Sequence, residues 1–464
     1  MMRRLDWGTR VGVRLIISII FALFTVFSLY EWRAIASQPK VEIHPLHYDL
    51  ATPIAHDNSE TLEVNLDANA YYEVYSASTP DKKYFLVDFI DWKSINPNII
   101  PHPSLEDTWV IVAQRDNSRI EDQTTFVEIA CHATFQNGVL KCTHSPIDLP
   151  IAPTPGNQCK GDLAWFRYSH GPHDGRVFYG PQAPYTIFGS NSDYTCFGQF
   201  VQDFRSLMDW GDATFAHPGF EKATELQRPS SYGPIEKNYF MFWDTDRHVY
   251  VHYDVYPKRA FAKLGLDGSV GEDLAPHAAQ SDDKCMAKYM PAVAPGDEKH
   301  SESIHQATNS LSVTMCKRSD PSCKPTSRNT FILTIFQWKS YIAWHSNYEP
   351  YIMLFEEKAP FKIHGISKKP FWIHGRRGRD LMEGKNENAG KGNVIEKRNN
   401  GIKPWNSTEM MYITSMSWKS HQQKYHGYLD DILFLAFGIE DAQSAGIDVI
   451  VGDLLMELGL CADS

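Results

Sequence analysis

The stretch 171-GPHDGRVFYGPQAPYTIFGS-190 indicates the fold, because it holds two short apolar runs separated by a turn. The runs are rich in aromatic and β-branched residues, as the arms of a β-hairpin are. Asp174 and Arg176 stand directly before the first run, where both can make bidentate hydrogen bonds to a charged or polyhydroxylated ligand. The alternative is a structural Asp–Arg pair that closes a loop.

Short β-type runs like these recur along the chain between turn residues, and long amphipathic helices are nearly absent. The best helix candidates are Gly198–Trp210 and a short one at Leu454–Leu460. We therefore expect an all-β domain, and a body of roughly 400 residues suits a β-propeller, which gathers loops around one central cleft. The predicted strands are Tyr84–Phe89, Trp109–Ala113, Thr125–Cys131, Val139–Thr143, Tyr185–Gly189, Tyr239–Trp243, His248–Tyr256, Thr330–Phe336, Tyr351–Phe355, Met410–Trp418 and Asp431–Phe437.

Two stretches interrupt the strand pattern. Gly265–Ser301 carries glycine, proline and acidic residues, and Arg376–Lys403 is charged with few apolar residues. Both are predicted to be surface insertions.

The N-terminus predicts the compartment. Arginines within residues 1–14 precede an apolar run over residues 15–30, which spans ~24 Å as a helix. The positive-inside rule then places residues 1–14 in the cytosol and the rest in the lumen. We expect a single-pass type II anchor in the Golgi or another secretory-pathway membrane, a stem over residues 31–79 and a folded domain over residues 80–464. The alternative is a signal peptide cleaved after Ala36, in the small-x-small sequence Ala34-Ile35-Ala36.

The cysteine content agrees with that compartment. Eight cysteines lie outside the apolar run, an even number with no zinc-type spacing, so disulfides are expected. The predicted local pairs are Cys131–Cys142, around an Asn137-Gly138 turn, and Cys316–Cys323. Asn406 begins a glycosylation sequon. The net charge of −11 with scattered basic residues argues against a nucleic-acid partner.

Polar segments stand at the edges of the predicted strands. They are Asn96-Pro97, Asp174-Gly175-Arg176, Glu236-Lys237-Asn238, His305–Asn309, Ser367–Pro370 and Tyr428–Asp431. Their order over roughly residues 80–450 resembles fungal β-1,2-mannosyltransferases and the related mannoside phosphorylases. The resemblance implies a five-bladed β-propeller and, for transferases, a nucleotide-activated mannose used in the secretory pathway. The family box usually has Glu-Asp-Pro-Arg where this chain has His173-Asp174-Gly175-Arg176, so the resemblance implies the superfamily before any substrate.

The matched positions suggest roles in an inverting sugar transfer. A carboxylate has to deprotonate the acceptor hydroxyl while cations neutralise the departing diphosphate. We expect Asp174 to be the base or to bind sugar hydroxyls, with Asp430 or Asp431 as the competing base, and Arg176 and Lys237 to contact phosphate. The expected hydrogen-bonding residues are Asn96, Asn238, His305 and His426. The donor would be a nucleotide sugar such as GDP-mannose, the acceptor a glycan, and no metal ligand is assigned.

Three alternatives remain open. A doubly wound glycosyltransferase would use Asp244-Thr245-Asp246 to bind a divalent metal, but that fold needs alternating helices and strands. Asp244–Arg247 is therefore interpreted as a hairpin turn. A glycoside hydrolase or phosphorylase on the same propeller would use an acid and a base. A propeller that only binds carbohydrate is the third alternative, because the altered box is compatible with lost activity.

Overall fold

The fold was analysed in a computed structural model, which describes residues 69–116, 125–154, 156–209, 219–296, 300–342, 345–378 and 408–461. The described chain is mostly β-structure. Its strands are β1 (Tyr72–Val74), β2 (Phe85–Asp88), β3 (Ser94–Pro101), β4 (Trp109–Arg115), β5 (Glu128–Gln136), β6 (Val139–Cys142), β7 (Ile147–Asp148), β8 (His173–Tyr179), β9 (Pro184–Asn191), β10 (Phe197–Asp203), β11 (Thr224–Glu225), β12 (Phe240–Trp243), β13 (Val249–Asp254), β14 (Ala260–Lys263), β15 (His300–Gln306), β16 (Leu311–Thr314), β17 (Thr330–Ile342), β18 (His345–Glu356), β19 (Ile363–Ser367), β20 (Phe371–Ile373), β21 (Met411–Trp418), β22 (His426–Tyr428), β23 (Ile432–Ile439), β24 (Gln443–Ile450) and β25 (Leu458–Leu460). The α-helices are α1 (Ala279–Tyr289) and α2 (Val451–Leu454), and 3-10 turns cover Gly161–Tyr168, Phe204–Ser206 and Ala275–His277.

Most strands fall into five successive antiparallel groups along the chain. The groups are β3-β4-β5-β6, β8-β9-β10-β11, β12-β13-β14, β15/β16-β17-β18-β19 and β21-β23-β24-β2. Strand β2 belongs to the last group although it comes first in sequence, because it pairs with β24 through Phe85 and Gly446. It also pairs in parallel with β6 of the first group. The beginning and the end of the described chain are therefore joined within one sheet.

The first strands of neighbouring groups are linked side by side. Each link is a hydrogen bond from a side chain in or next to one of these strands to the neighbouring group, and it satisfies buried polar atoms. The links are Asn98 Nδ2 to Gly175 O at 2.8 Å, Arg176 Nη2 to Asn238 Oδ1 at 2.6 Å, Gln306 Nε2 to Asn238 O at 3.0 Å, Asn309 Nδ2 to Met416 O at 3.0 Å, and Thr414 Oγ1 to Pro97 O. These five links join the five groups in a closed ring. Side chains from distant parts of the sequence therefore meet along this ring.

The predicted strands are confirmed, since each predicted run overlaps a strand. The helix predicted at Gly198–Trp210 is wrong. Residues 197–203 form β10, which is buried throughout and pairs with β9 from Phe197–Asn191 to Asp203–Tyr185. Its apolar residues fit a helical spacing by coincidence, and burial on both faces removes the alternation that would have identified a strand. The short helix expected at Leu454–Leu460 is also displaced, because α2 ends at Leu454 and β25 follows.

The insertion predicted at residues 265–301 is more structured than expected. It contains α1, whose Asp282 is buried and pairs with Arg259 at 2.7 Å. Cys285 of α1 is bonded to Cys461, which anchors the helix to the end of the chain. At the second predicted insertion, Arg376 is 2% exposed and pairs with Glu349, whereas residues 379–403 lie outside the described residues.

The disulfides confirm both predicted local pairs, Cys131–Cys142 and Cys316–Cys323. The remaining cysteines form Cys159–Cys196 and Cys285–Cys461. The predicted anchor at residues 15–30 and the sequon at Asn406 lie outside the described residues. Within the described ranges, no helix is both long and apolar enough to cross a bilayer. The last part of the predicted stem is folded, because Tyr72–Val74 forms β1 and pairs with β20.

Candidate functional site

The ring of first strands brings several of the predicted site residues together near the starts of β3, β8 and β12. Asn96, Asp174 and Asn238 all have left-handed backbone conformations, with φ of 55°, 51° and 65°. Strands β3 and β8 also contain bulges at these positions. Asparagine and aspartate tolerate this conformation better than most residues, and bulges re-aim side chains beside functional sites. The local backbone thus turns these polar side chains out of the strand alternation.

Asp174 provides an accessible carboxylate at this end. Its Oδ1 accepts a hydrogen bond from Asn96 Nδ2 at 2.8 Å, and its Oδ2 lies 3.7 Å from Lys237 Nζ. Its backbone N–H donates to Gln114 Oε1 at 2.9 Å, which holds the residue in place. The Asp174 side chain is 44% exposed. A positioned carboxylate that keeps accessible lone pairs can accept a proton or bind a hydroxyl group.

Arg176 is the buried cation of the site. Its Nη2 donates to Asn238 Oδ1 at 2.6 Å and to Tyr412 Oη at 3.2 Å, whereas its Nε has no hydrogen-bond partner among the described residues. No described carboxylate forms an ion pair with Arg176. A buried guanidinium bonded only to neutral oxygens keeps its charge uncompensated, which favours the binding of an anion. The Asp–Arg pair that would simply close a loop is not formed.

Two lysines add to the positive charge around His305. Burial, together with the charges of Lys339, Arg176 and Lys237, lowers the pKa of His305 to about 4. The imidazole is therefore neutral at neutral pH, with its Nε2 3.0 Å from Ser303 Oγ. Burial also lowers the pKa of Lys339, an effect that Lys237 reinforces and Asp441 opposes. These cations repel one another, and a bound anion would relieve that repulsion.

A buried acid, Glu128, holds the backbone next to Asp174 in place. Glu128 of β5 is 1% exposed, and its Oε1 accepts from the Gly175 N–H at 2.9 Å. A Cβ on Gly175 would lie 2.7 Å from Glu128 Cδ, so there is no room for a larger side chain at position 175. Burial raises the pKa of Glu128 to about 8, with the Gly175 N–H opposing the shift and the Asp174 charge reinforcing it. The acid is therefore mostly protonated at neutral pH.

We call Asn96, Asp174, Arg176, Lys237, Asn238, His305 and Lys339 the central cluster. Six of these residues were predicted from the sequence, and Lys339 was not. Tyr412, Tyr348 and Glu128 were also missed. The rings of Tyr348 and Tyr412 are 4.8 Å apart, and Lys339 Nζ lies 5.5 Å from the Tyr348 ring. Glu128 had a detectable signal, because it is a lone charge within an otherwise apolar predicted strand.

Asp430, Asp431 and His426 are not brought together with Asp174. Strand β21 runs from Tyr412, beside Arg176, to Trp418, whose partner on β23 is Leu433. Asp430 and Asp431 precede β23 at that far end, about 20 Å along the strand from Tyr412. His426 contacts Thr314 Oγ1 at 2.8 Å on β16. The expectation that these residues share one site with Asp174 therefore lacks support from their placement.

The far-end carboxylates have their own partners. Asp430 accepts backbone N–H bonds from Arg318 and Ser319 at 2.5 and 3.0 Å. Asp431 accepts two bonds from the Arg318 guanidinium, at 2.9 and 2.7 Å, and others from Gln423 Nε2 and the Tyr428 N–H, both at 2.7 Å. We call Arg318, Gln423, Asp430 and Asp431 the distal cluster. Its hydrogen bonds organise the turn before β23.

The Asp-x-Asp sequence also lies away from the central cluster. Asp244, Asp246 and His248 have potential ligand atoms within 4.8 Å of one another. They occupy the turn between β12 and β13, at the end of β12 opposite Asn238. Asp244 accepts from the N–H groups of Asp246 and His248 at 2.9 and 2.8 Å, and bonds His248 Nδ1 and Tyr250 Oη. The hairpin turn predicted at Asp244–Arg247 is confirmed, and the turn itself occupies the carboxylate.

No family model and no curated protein sequence matches the chain. Among solved structures, it is similar to a β-1,2-mannobiose phosphorylase from Listeria innocua, at 10% identity over 84% of this chain and 98% of that chain, with a TM-score of 0.42. A glycosyl hydrolase from Bacteroides ovatus matches at 11% identity, over 82% of this chain and 95% of that chain, with a TM-score of 0.40.

A GDP-Man-dependent mannosyltransferase from Leishmania mexicana is similar at 9% identity, over 80% of this chain and 91% of that chain, with a TM-score of 0.37. Each of these proteins shares about one residue in ten with the chain. The chemistry of the central cluster therefore has to be judged from its own residues.

Proposed function

We propose that the chain is a glycosyltransferase built on a five-bladed β-propeller, which transfers a sugar from a nucleotide sugar to a glycan acceptor. The five antiparallel groups are the blades in this proposal, and β2 completes the last blade as a closing strand. GDP-mannose is the donor that we put forward first. The proposal includes the lumenal side of a secretory-pathway membrane as the place of action, with the apolar run at residues 15–30 as the anchor.

One observation carries the proposal: three cations lie around His305, and one of them reaches an accessible carboxylate. Arg176, Lys237 and Lys339 all act on His305, and Lys237 Nζ lies 3.7 Å from Asp174 Oδ2. A nucleotide sugar needs cations for its diphosphate, and its acceptor needs a base for the attacking hydroxyl. The central cluster offers both types of group within contact distance of each other.

The proposed reaction is a single displacement at the anomeric carbon. The Asp174 carboxylate takes the proton of the acceptor hydroxyl as its oxygen forms a bond to the anomeric carbon. The bond from that carbon to the diphosphate oxygen breaks at the same time, and the electron pair leaves with the diphosphate. Arg176 and Lys237 stabilise the charge that develops there, and the configuration at the carbon inverts. Asn96 orients the carboxylate through its bond to Oδ1.

A phosphorylase is the second candidate, and the same cations favour it. Inorganic phosphate carries the charge that Arg176, Lys237 and Lys339 are placed to neutralise. In that reaction Asp174 would supply the proton to the leaving sugar oxygen instead of removing one. A hydrolase needs two carboxyl groups facing the sugar, and Glu128 cannot be the second one because it is buried behind Gly175.

Ligand-dependent thermal stability of the full-length protein tests the proposal. The ligands are GDP-mannose, other nucleotide sugars, GDP and inorganic phosphate, followed by transfer assays with oligosaccharide acceptors. Lys237→Ala should weaken binding of the nucleotide sugar about tenfold, as expected for the loss of one charge-assisted contact. Lys263→Ala, at an exposed lysine of β14, is the matched control and should bind normally.

The outcomes separate the candidates. Stabilisation by a nucleotide sugar that depends on Lys237 supports the transferase and identifies its donor. Stabilisation by phosphate alone, with the same dependence, replaces the transferase with the phosphorylase. If neither anion stabilises the protein, the central cluster does not bind phosphate groups and both candidates fail.

A further inference from the structure

We propose that the 3-10 segment Gly161–Tyr168 carries an aromatic platform, Trp165, Phe166 and Tyr168, that binds an oligosaccharide acceptor beyond the central cluster. The platform deepens the proposed function and rests on it for the identity of the reaction. The segment has no buried residue, although it contains four large apolar side chains. Trp165 is 59% exposed and Tyr168 is 56% exposed. Clustered exposed aromatics on a folded segment are typical of binding surfaces.

Ring contacts connect the platform to the central cluster through Phe197, whose side chain is buried. The Trp165 and Phe166 rings are 4.1 Å apart, and the Phe166 and Phe197 rings are 5.5 Å apart. Lys237 Nζ lies 5.6 Å from the Phe197 ring and 3.7 Å from Asp174 Oδ2. These contacts set an upper limit on the distance from Asp174 to Trp165. The platform therefore lies within reach of an oligosaccharide that begins at Asp174.

The platform is held in place although its rings are exposed. Cys159, just before the segment, is bonded to Cys196, the residue before Phe197. Asn191 Nδ2 donates to the carbonyls of Arg167 and Ser169 at 3.4 and 3.1 Å, on either side of Tyr168. Rings fixed in advance lose little conformational entropy when a ligand stacks on them. This favours a binding role over a loosely packed loop.

The surroundings of the rings favour a sugar as the ligand. Asp162 and Arg167 flank the aromatic residues and are themselves exposed, so the apolar surface is narrow and bordered by charge. A protein partner would need a wider apolar centre to form a stable interface. A pyranose has an apolar C–H face of about ring size and hydroxyls around its rim, which matches a flat indole with polar neighbours.

Binding of sugars of two lengths tests the platform. The full-length protein is titrated by calorimetry with mannotetraose and with free mannose. Trp165→Ala should weaken mannotetraose binding about tenfold and leave mannose binding unchanged, because in this proposal only the longer sugar extends to the platform. Trp165→Phe keeps a flat ring and should retain most of the affinity. Tyr75→Ala removes a side chain that is 49% exposed elsewhere, and it should bind both sugars normally.

The outcomes distinguish this proposal from the proposed function. Equal affinity of the wild-type and Trp165→Ala proteins for mannotetraose overturns the platform, even if GDP-mannose still stabilises both proteins and the transferase stands. Dependence of mannotetraose binding on Trp165 supports the platform, even if no nucleotide sugar binds and the transferase fails. Absence of mannotetraose binding to the wild-type protein overturns the platform. So does a Trp165→Ala variant that loses binding to anionic lipid vesicles while its sugar binding is unchanged.

Discussion

Asp174 and Asp431 lie at opposite ends of the first strands of the groups, and each has an arginine nearby. Their hydrogen bonds differ. Asp431 accepts four N–H bonds, two of them from the Arg318 guanidinium. Asp174 accepts one side-chain bond, from Asn96, and the nearby Arg176 donates to neutral oxygens instead of to the carboxylate. A carboxylate that accepts four bonds from the protein stabilises the fold. One that keeps lone pairs beside uncompensated cations can serve a ligand.

The backbone shows the same difference. In the central cluster Asn96, Asp174 and Asn238 are held with positive φ, which costs of order 1 kcal/mol for each residue. In the distal cluster, neither Asp430 nor Asp431 has a positive φ. Backbone strain that is present in the central cluster, and absent at Asp430 and Asp431, agrees with a functional role for the central cluster. Four experiments test this contrast.

The largest expected effect is on turnover. Asp174→Asn should lower the turnover number by about 100- to 10,000-fold, because the amide cannot accept the acceptor proton. Asp431→Asn should change turnover less than threefold once the fraction of folded protein is taken into account. The measurement is sugar transfer at saturating donor and acceptor. A fully active Asp174→Asn variant would remove Asp174 from the mechanism.

The second effect is the pH dependence of stability caused by Glu128. The pKa of Glu128 rises from 4.5 in the unfolded chain to about 8 in the folded protein. Between these values the folded state holds a proton that the unfolded state has lost, so the free energy of unfolding falls as pH rises, by up to about 1.4 kcal/mol per pH unit.

Glu128→Gln tests this effect, because the amide keeps an acceptor for the Gly175 N–H and does not titrate. The variant should lose this contribution to the slope and become more stable than the wild-type protein at pH 8. Urea unfolding at pH 5, 6, 7 and 8 measures the difference between the two proteins. Parallel stability curves for both proteins would show that Glu128 is ionised in the folded state.

The third effect is the stability supplied by the distal cluster. Asp431→Asn should lower the free energy of unfolding by about 1–3 kcal/mol, since charge-assisted bonds to Arg318 and the Tyr428 N–H are lost. Asp283→Asn, at an exposed acid of α1, is the control and should change stability by less than about 0.5 kcal/mol. Urea unfolding measures both variants. An unchanged stability of Asp431→Asn would mean that the distal bonds contribute nothing in solution.

The smallest effect is expected at the hairpin turn that contains the Asp-x-Asp sequence. Asp244→Asn should change turnover less than twofold, and the response of turnover to added Mn²⁺ or to a chelator should be the same as in the wild-type protein. The reason is that Asp244 bonds within its own turn and lies at the far end of β12. A loss of metal-stimulated activity in this variant would restore the metal-dependent alternative.

The sequence predicted many of the strands correctly, but it gave a helix where strand β10 lies. Runs such as Trp109–Ala113 and Thr330–Phe336 were identifiable because β-branched and aromatic residues are concentrated in them and turn residues bound them. Strand β10 was not, since burial of both faces leaves no alternation of polar and apolar residues. Helix α1 was missed because its few buried residues, among them Asp282 and Cys285, make little amphipathic pattern.

The same division applies to the site. The polar segments around Asp174 and Lys237 were found because turn-type residues gather at strand edges. Lys339 and Tyr348 were not, because they lie in the parts of β17 and β18 that the predicted strands Thr330–Phe336 and Tyr351–Phe355 left out. Asp430 and Asp431 show the opposite error, in which a conspicuous local pair of acids lies at the other end of the strands.

The sequence by itself determined the features that depend on near neighbours. These are strands such as β4 and β17, the turns at Asn137-Gly138 and Asp244–Arg247, and the disulfides Cys131–Cys142 and Cys316–Cys323, whose partners are 11 and 7 residues apart. The tertiary structure alone decided which polar side chains meet. Asn96 and Asp174 are 78 residues apart, and Arg176 and Tyr412 are 236 apart. Their contacts exist only because side-chain hydrogen bonds close the first strands into a ring, and no local pattern encodes that closure.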